Sequence, residues 1–500
     1  MKKRIHEFLD KTAAFSGWIV WLFLLVPGCD KPAPSPLRSL VELNTGEAQE
    51  VALCNGEVVQ LALLEIAEEK DSCRGAVRGA RVKVAVDGEE LILNTGNYNL
   101  PVTTGNVQID CPVIRAYYAT TNQDSWALTK DACFRLWPKD SPYLEPGTFV
   151  YPLKQEWLAG FSQVGNEPTY VDWGEPLKTP VYYHNGFDFG AAEGMDEVLS
   201  ATDGLVISSN NTALEGYSDF PGDVRPDVVY IEDAKGWCYR YSHLDSILPA
   251  IRPGEKVKAG QQIGFAGKQG HSGGWVHLHF DISHKEMPSG EWGNEDAYAY
   301  VWEAYCRQYQ PALIAVARPH HLAWTGSPVT LDGGKSKSFS GEIVSYEWLS
   351  GDGSAMQGAV QERTYDKPGA YCETLKVTDS NGNVDYDFAV VQVLGKDSAE
   401  QVIPTIQAAY HPNMDIQPGD PVVFLVRTFN ATSGHEVWDY GDGSPQDTVQ
   451  SETVDRRNPV AGEFAKTTHS FAAPGHYLVS VQRENEQGFT ATARLHVTVK

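Results

Sequence analysis

Apolar and polar residues alternate with a period of two through much of this chain. Val82, Val84 and Val86 alternate with Lys83 and Ala85, Asp87-Gly88 supplies a turn, and Leu91-Ile92-Leu93 returns. That is the pattern of a half-buried strand pair joined by a tight hairpin. Residues 198–207 read as strand, Asp-Gly turn and strand, and Val228-Val229-Tyr230-Ile231 is β-rich. Residues 252–261 read as two tight turns around a short strand, and 295–308 as a helix. Short strands separated by turn signals predict an all-β multidomain protein with antiparallel cores.

At 500 residues the chain has room for about three to four domains. A hydrophobic content of 42% with 21% charged residues permits large cores. The formal net charge of −25 argues against nucleic acid as a partner, since phosphate binding needs clustered Lys and Arg.

The first 29 residues read as a targeting segment. Lys2, Lys3 and Arg4 open it, an apolar run follows to Val26, and Val26-Pro27-Gly28-Cys29 resembles a bacterial lipoprotein signal. In that reading Cys29 is acylated and anchors the chain to a membrane; an ordinary cleaved signal and an uncleaved anchor are the alternatives. All three predict a cell-envelope or extracellular location. Residues 30–44, with Pro32, Pro34, Ser35 and Pro36, read as a tether, and 45–147 as a small β domain. Eight cysteines suit an oxidising compartment. Proximity suggests pairing Cys54 with Cys73, Cys111 with Cys133 and Cys238 with Cys306, although spacing does not fix connectivity.

The chemistry concentrates in Val276-His277-Leu278-His279-Phe280. Two histidines two residues apart on a strand share a face. His184 and Asp188 are also an even number apart, and His243 lies between the two blocks. Four imidazoles and one carboxylate suit a borderline divalent metal such as zinc. Taken singly, His184 or His243 reads as a surface or hydrogen-bonded histidine, and Asp188 as a turn acid. His277 and His279 are harder to dismiss, because buried imidazoles need partners. His271 and His284 match no ligand position and read as incidental.

Four blocks in order carry a resemblance. His184-x-x-x-Asp188, Ala201-Thr202-Asp203-Gly204-Leu205-Val206, Tyr241-Ser242-His243-Leu244 with the turn-rich stretch to Gly267, and His277-x-His279 resemble the M23 family of zinc metallopeptidases, the lysostaphin- and LytM-like endopeptidases. The resemblance covers residues 148–312. It implies one zinc held by His184, Asp188 and His279, with a position left open for water, and His243 and His277 as catalytic residues beside it. Two departures stand out. Residues 210–227 form a longer connection than usual, and Trp275-Val276 replaces a frequent glycine-proline pair.

The C-terminal part holds one pattern twice, at a spacing of about 90 residues. Trp348, Gly351-Asp352-Gly353, Pro368-Gly369 and Tyr371 recur as Trp438, Gly441-Asp442-Gly443, Pro474-Gly475 and Tyr477. Residues 318–397 and 404–500 each resemble the PKD domain, an immunoglobulin-like β-sandwich, acting as spacers or as binders of glycan or protein. The expected function is a zinc endopeptidase acting on peptidoglycan peptides or on protein. The alternatives are a non-catalytic surface protein that binds or regulates, and an adhesin carried by the PKD pair.

Overall fold

A computed structural model describes residues 36–118, 125–169, 181–351, 353–396 and 401–500. The targeting segment with Cys29, residues 30–35 of the tether, and Asp352 lie outside the described residues. The regular structure among the described residues is almost all strand, with one α-helix, α1 (Tyr298–Tyr309), and one 3-10 turn.

The N-terminal region is a sandwich of two four-stranded sheets. Ser39–Leu43, which composition assigns to the tether, is instead an edge strand paired with Ala132–Pro138. In the other sheet Val82, Val84 and Val86 point into the core, as their alternation predicts. Val86 pairs directly with Glu89, and Asp87 and Gly88 take φ of 50° and 87°, so the hairpin closes in two residues.

The expected disulfides are absent: the seven described cysteines are free thiols. Cys54 and Cys73 flank the 13-residue strand Val58–Lys70, whose ends are roughly 40 Å apart. Cys111 falls in a register irregularity, so Cys133 faces Val113 instead. Cys238 packs with Ile207, Val228 and Tyr230, whereas Cys306 on α1 lies against the main core.

The central domain is built on a nine-stranded antiparallel sheet. Its principal strands are β1 (Phe187–Gly190), β2 (Gly204–Ser209), β3 (Val229–Glu232), β4 (Cys238–Ser242) and β5 (His277–His284), in the spatial order β2-β3-β4-β5-β1. Alternation divides its faces. Phe187, Phe189, Tyr239, Tyr241, Leu278, Phe280 and Ile282 enter the core. Asp188, Arg240, His277, His279 and Asp281 occupy the alternate positions. The segment read as strand–turn–strand at 198–207 does not form a hairpin: Glu197–Leu199 pairs with Gln262–Ala266 in a separate three-stranded sheet, while β2 pairs with β3.

A buried charge network joins this domain to the N-terminal sandwich. Glu295 accepts from Arg38 at 2.7 Å and Arg135 at 2.6 Å, and also contacts His284 at 2.8 Å. His284, incidental by sequence, is therefore part of the scaffold. Burial pushes the Glu295 carboxyl up, but the two guanidiniums outweigh it and hold it well below the usual range. Glu295→Ala leaves two arginines buried with an acceptor lost, and should destabilise the protein by about 3–5 kcal/mol. Chemical denaturation would measure this; an unchanged midpoint would rule the network out as a structural tie. A depressed carboxylate contributes fully above its unfolded value of about 4.3. Its contribution should be lost as pH falls through the lower folded value.

Two further sandwiches follow, with Trp348 and Trp438 fully buried in their cores. Their larger sheets join through a single parallel bridge, Ala370 to Ala491. Ala409, Leu425 and Phe464 of the last sandwich belong to the central domain's own core, so the two are packed together.

Candidate metal centre and groove

The sheet register assembles the centre. Asp188 on β1 lies directly opposite His279 on β5, and Ser242, just before His243, lies opposite His279 on its other side. His184 arrives differently from the expected extended segment. The chain turns at Gly186, where φ is 86° and a Cβ would come within 2.8 Å of Asp281 Cβ and the Phe280 carbonyl. Before that turn, the His184 backbone pairs with Asn166 and Glu167 rather than continuing β1.

The three expected ligands converge. His279 Nδ1 lies 2.8 Å from Asp188 Oδ1, His184 Nε2 lies 3.1 Å from His279 Nδ1, and His184 Nε2 lies 3.1 Å from Asp188 Oδ1. Each side chain is buried. His277 Nε2 stands 3.6 Å from Asp188 Oδ2, and the His243 ring centroid is 4.7 Å from that of His277. All five residues meet in one place.

Remote contacts fix the protons. His184 Nδ1 faces the Val164 carbonyl at 3.2 Å, His243 Nδ1 the Gln269 carbonyl at 2.7 Å, and His277 Nδ1 the Trp275 carbonyl at 3.1 Å. A carbonyl only accepts, so Nδ1 carries the hydrogen in each and Nε2 presents a lone pair. His279 is reversed: its Nε2 donates to Asp281 Oδ2 at 3.2 Å, leaving Nδ1 free to face the cluster. Two imidazole nitrogens and a carboxylate thus point at one another, an arrangement that a cation or a shared proton would relieve. The donor set fits zinc, and the acceptors behind both ligand imidazoles match the outer support that metal-binding histidines need.

The electrostatics show a site that favours positive charge. Burial pushes the Asp188 carboxyl up, but the surrounding imidazoles, His184 and His277 foremost, hold it well below the usual range. Burial also lowers His279, and the carboxylates of Asp188 and Asp281 more than reverse that. His277 is lowered to about 3, chiefly by burial, so it is neutral at pH 7.

Residues 182–290 match the sequence model of Peptidase family M23, and 311–393 and 407–499 each match a PKD domain. The chain carries an M23 peptidase domain followed by two PKD domains. The M23 stretch is similar to peptidoglycan DD-endopeptidase ShyA of Vibrio cholerae, at 32% identity over 113 residues, 23% of each chain. It is also similar to murein hydrolase activator NlpD of Escherichia coli, at 30% identity over 102 residues, 20% of this chain and 23% of that one. The chain therefore spans under a quarter of the length of these curated relatives. Among solved structures, the catalytic domain of the prophage-encoded M23 protein EnpA from Enterococcus faecalis, in a mutant form, is 24% identical. That match covers 31% of this chain and 93% of the EnpA chain, with a TM-score of 0.19.

Sequence reasoning assigned no role to two supports of the M23 site. Asp281 continues the same alternation as His277 and His279, so its position behind His279 was readable. Asp281→Asn should weaken metal affinity about 10–100-fold, measured by chelator competition; unchanged affinity would deny Asp281 this role. Asp227 had no local signal. It ends the long 210–227 connection, takes an ion pair from Arg225, and accepts the His243 backbone N–H at 3.2 Å. That bond steadies His243 in a left-handed conformation, φ 66°.

Proposed function

We propose that this protein is a zinc-dependent endopeptidase of the cell envelope that cuts the peptide part of peptidoglycan. The observation that carries the reading is the convergence of one ligand atom each from His184, Asp188 and His279, with two further imidazoles beside them. The similarity of the M23 stretch to a peptidoglycan DD-endopeptidase supports the substrate class.

His184, Asp188 and His279 would hold one zinc ion. When bound, zinc supplies Lewis-acid polarisation and makes water more acidic. His243 and His277 begin with Nε2 lone pairs, so either accepts a proton from attacking water. The imidazole that does so becomes an N–H donor. It then hydrogen-bonds the oxyanion developing at the scissile carbonyl or passes the proton to the departing amine nitrogen. No glutamate lies among the five converging residues, so these histidines are the proton carriers.

The test is mass analysis of fragments released from purified cell wall, with metal content measured on the same protein. Stoichiometric zinc and newly released peptides bearing a free amine are expected. Protein without zinc that releases nothing would instead favour a binding or regulatory role, the kind of role named for NlpD.

A further inference from the structure

The groove over the metal centre is a cavity of about 1140 Å³ whose walls come from three domains. The M23 domain supplies one side, and both PKD domains supply the other. The second PKD domain is clamped to the segment that leads into His277. The Gln407 side-chain amide accepts from Val276 N–H at 2.8 Å and donates to the Val276 carbonyl at 2.6 Å. Trp275 stacks on Phe429 with centroids 4.8 Å apart and planes 4° from parallel. Gly274, at φ 86°, runs so close that a Cβ would stand 2.3 Å from the Pro459 carbonyl. The Trp275-Val276 departure is thus the footing of this second wall.

The charge of the cavity is unusual for the chain. Acids outnumber Lys and Arg by 65 to 40 overall, yet six arginines and three acids line the cavity. Arg225, Arg240 and Arg318 are neutralised by Asp227, Asp281 and Asp387. Arg456, Arg457 and Arg494, all on the PKD side, have no carboxylate partner among the described residues. Arg456 donates to Asn430 Oδ1 at 3.1 Å, and Arg494 donates to the Cys372 carbonyl and to Thr374 Oγ1 at 3.3 Å. The lining acids are otherwise engaged. Asp188 belongs to the metal cluster, while Glu167 and Glu486 each accept a backbone N–H at 3.0 Å, from Val164 and Thr432.

We propose that the second PKD domain is the far wall of the substrate groove, and that Arg456 and Arg457, with Arg494, hold a free carboxylate of the peptide being cut. Guanidinium groups recognise carboxylates through paired, charge-assisted hydrogen bonds. Arginines lining a cavity favour an acidic peptide over its amide. The inference rests on the endopeptidase reading and names the feature of the substrate that the PKD side reads.

The test uses the full chain and two synthetic cross-linked stem peptides that differ only in whether their carboxylates are free or amidated. Wild-type kcat/KM should favour the free acid by about tenfold or more. R456A/R457A should lose that preference through a raised KM for the free acid. Both substitutions are exposed, so the fold should survive. Equal activity of the wild type on both peptides, or a preference that survives the double substitution, would overturn the proposal. Fluorescence anisotropy of labelled peptides on chelator-treated protein separates the two ideas. An acid preference in binding, lost in R456A/R457A, upholds the wall even if no peptide is ever cut. No preference in binding sinks the wall even if hydrolysis is seen.

Discussion

Replacing His279 with alanine should strip the protein of zinc and end hydrolysis while leaving the fold intact. His279 is the hub of the centre, contacting Asp188, His184 and Asp281 at once. Without it two ligands remain, and His184 and Asp188 face each other at 3.1 Å with nothing between them. Zinc content should drop from about one per chain to background, and turnover by about 10³-fold or more. The backbone should tolerate the change. The core face of β5 consists of Leu278, Phe280 and Ile282, all untouched and fully buried. Elemental analysis, circular dichroism and a cell-wall digestion assay would check this together. A folded variant that keeps stoichiometric zinc, or that digests cell wall like the wild type, would remove His279 from the centre and overturn this choice of ligands.

His277, His279 and Asp188 were legible from strict strand periodicity, whereas the grouping with His184 and His243 came from the resemblance to the M23 family. His277 and His279 on β5 must share a face, and Asp188 must sit opposite one of them once β1 pairs in register. The same rule would have given Asp281. It misled at His184, which reaches the cluster through a turn at Gly186 rather than by strand alternation. The disulfides failed for a related reason. Closeness along the sequence says little when a 13-residue strand lies between two cysteines or a register shift displaces one of them. Asp227, the Glu295 network and the Gln407 clamp were invisible because each joins residues far apart in sequence. A single chain carries no local signal for such contacts. The paired tryptophans did mark the two C-terminal cores, Trp348 and Trp438. What they could not mark was where the finished sandwiches would dock. The spacer reading of the second PKD domain gives way because its Ala409, Leu425 and Phe464 lie inside the central core.

Alanine at His243 or His277 should separate metal binding from chemistry. Neither is among the three converging ligands, so both variants should retain about one zinc per chain. Each removes a lone pair positioned to take and return a proton, and kcat should fall about 10²–10⁴-fold. The two are held by different means, which makes the pair informative. His277 depends on β5 and on the Trp275 carbonyl, and Trp275 is itself pinned by Phe429 of the second PKD domain. His243 depends on the Gln269 carbonyl and on Asp227, which receives the Arg225 ion pair. Asp227→Asn should therefore lower kcat through a displaced His243, by less than His243→Ala and with zinc retained. Steady-state kinetics with metal analysis on all three proteins would decide the assignment. A variant at His243 or His277 that turns over like the wild type is not a proton carrier, and one that loses its zinc is a ligand. Either result would redraw the division of labour, because both imidazoles stand beside the three converging side chains.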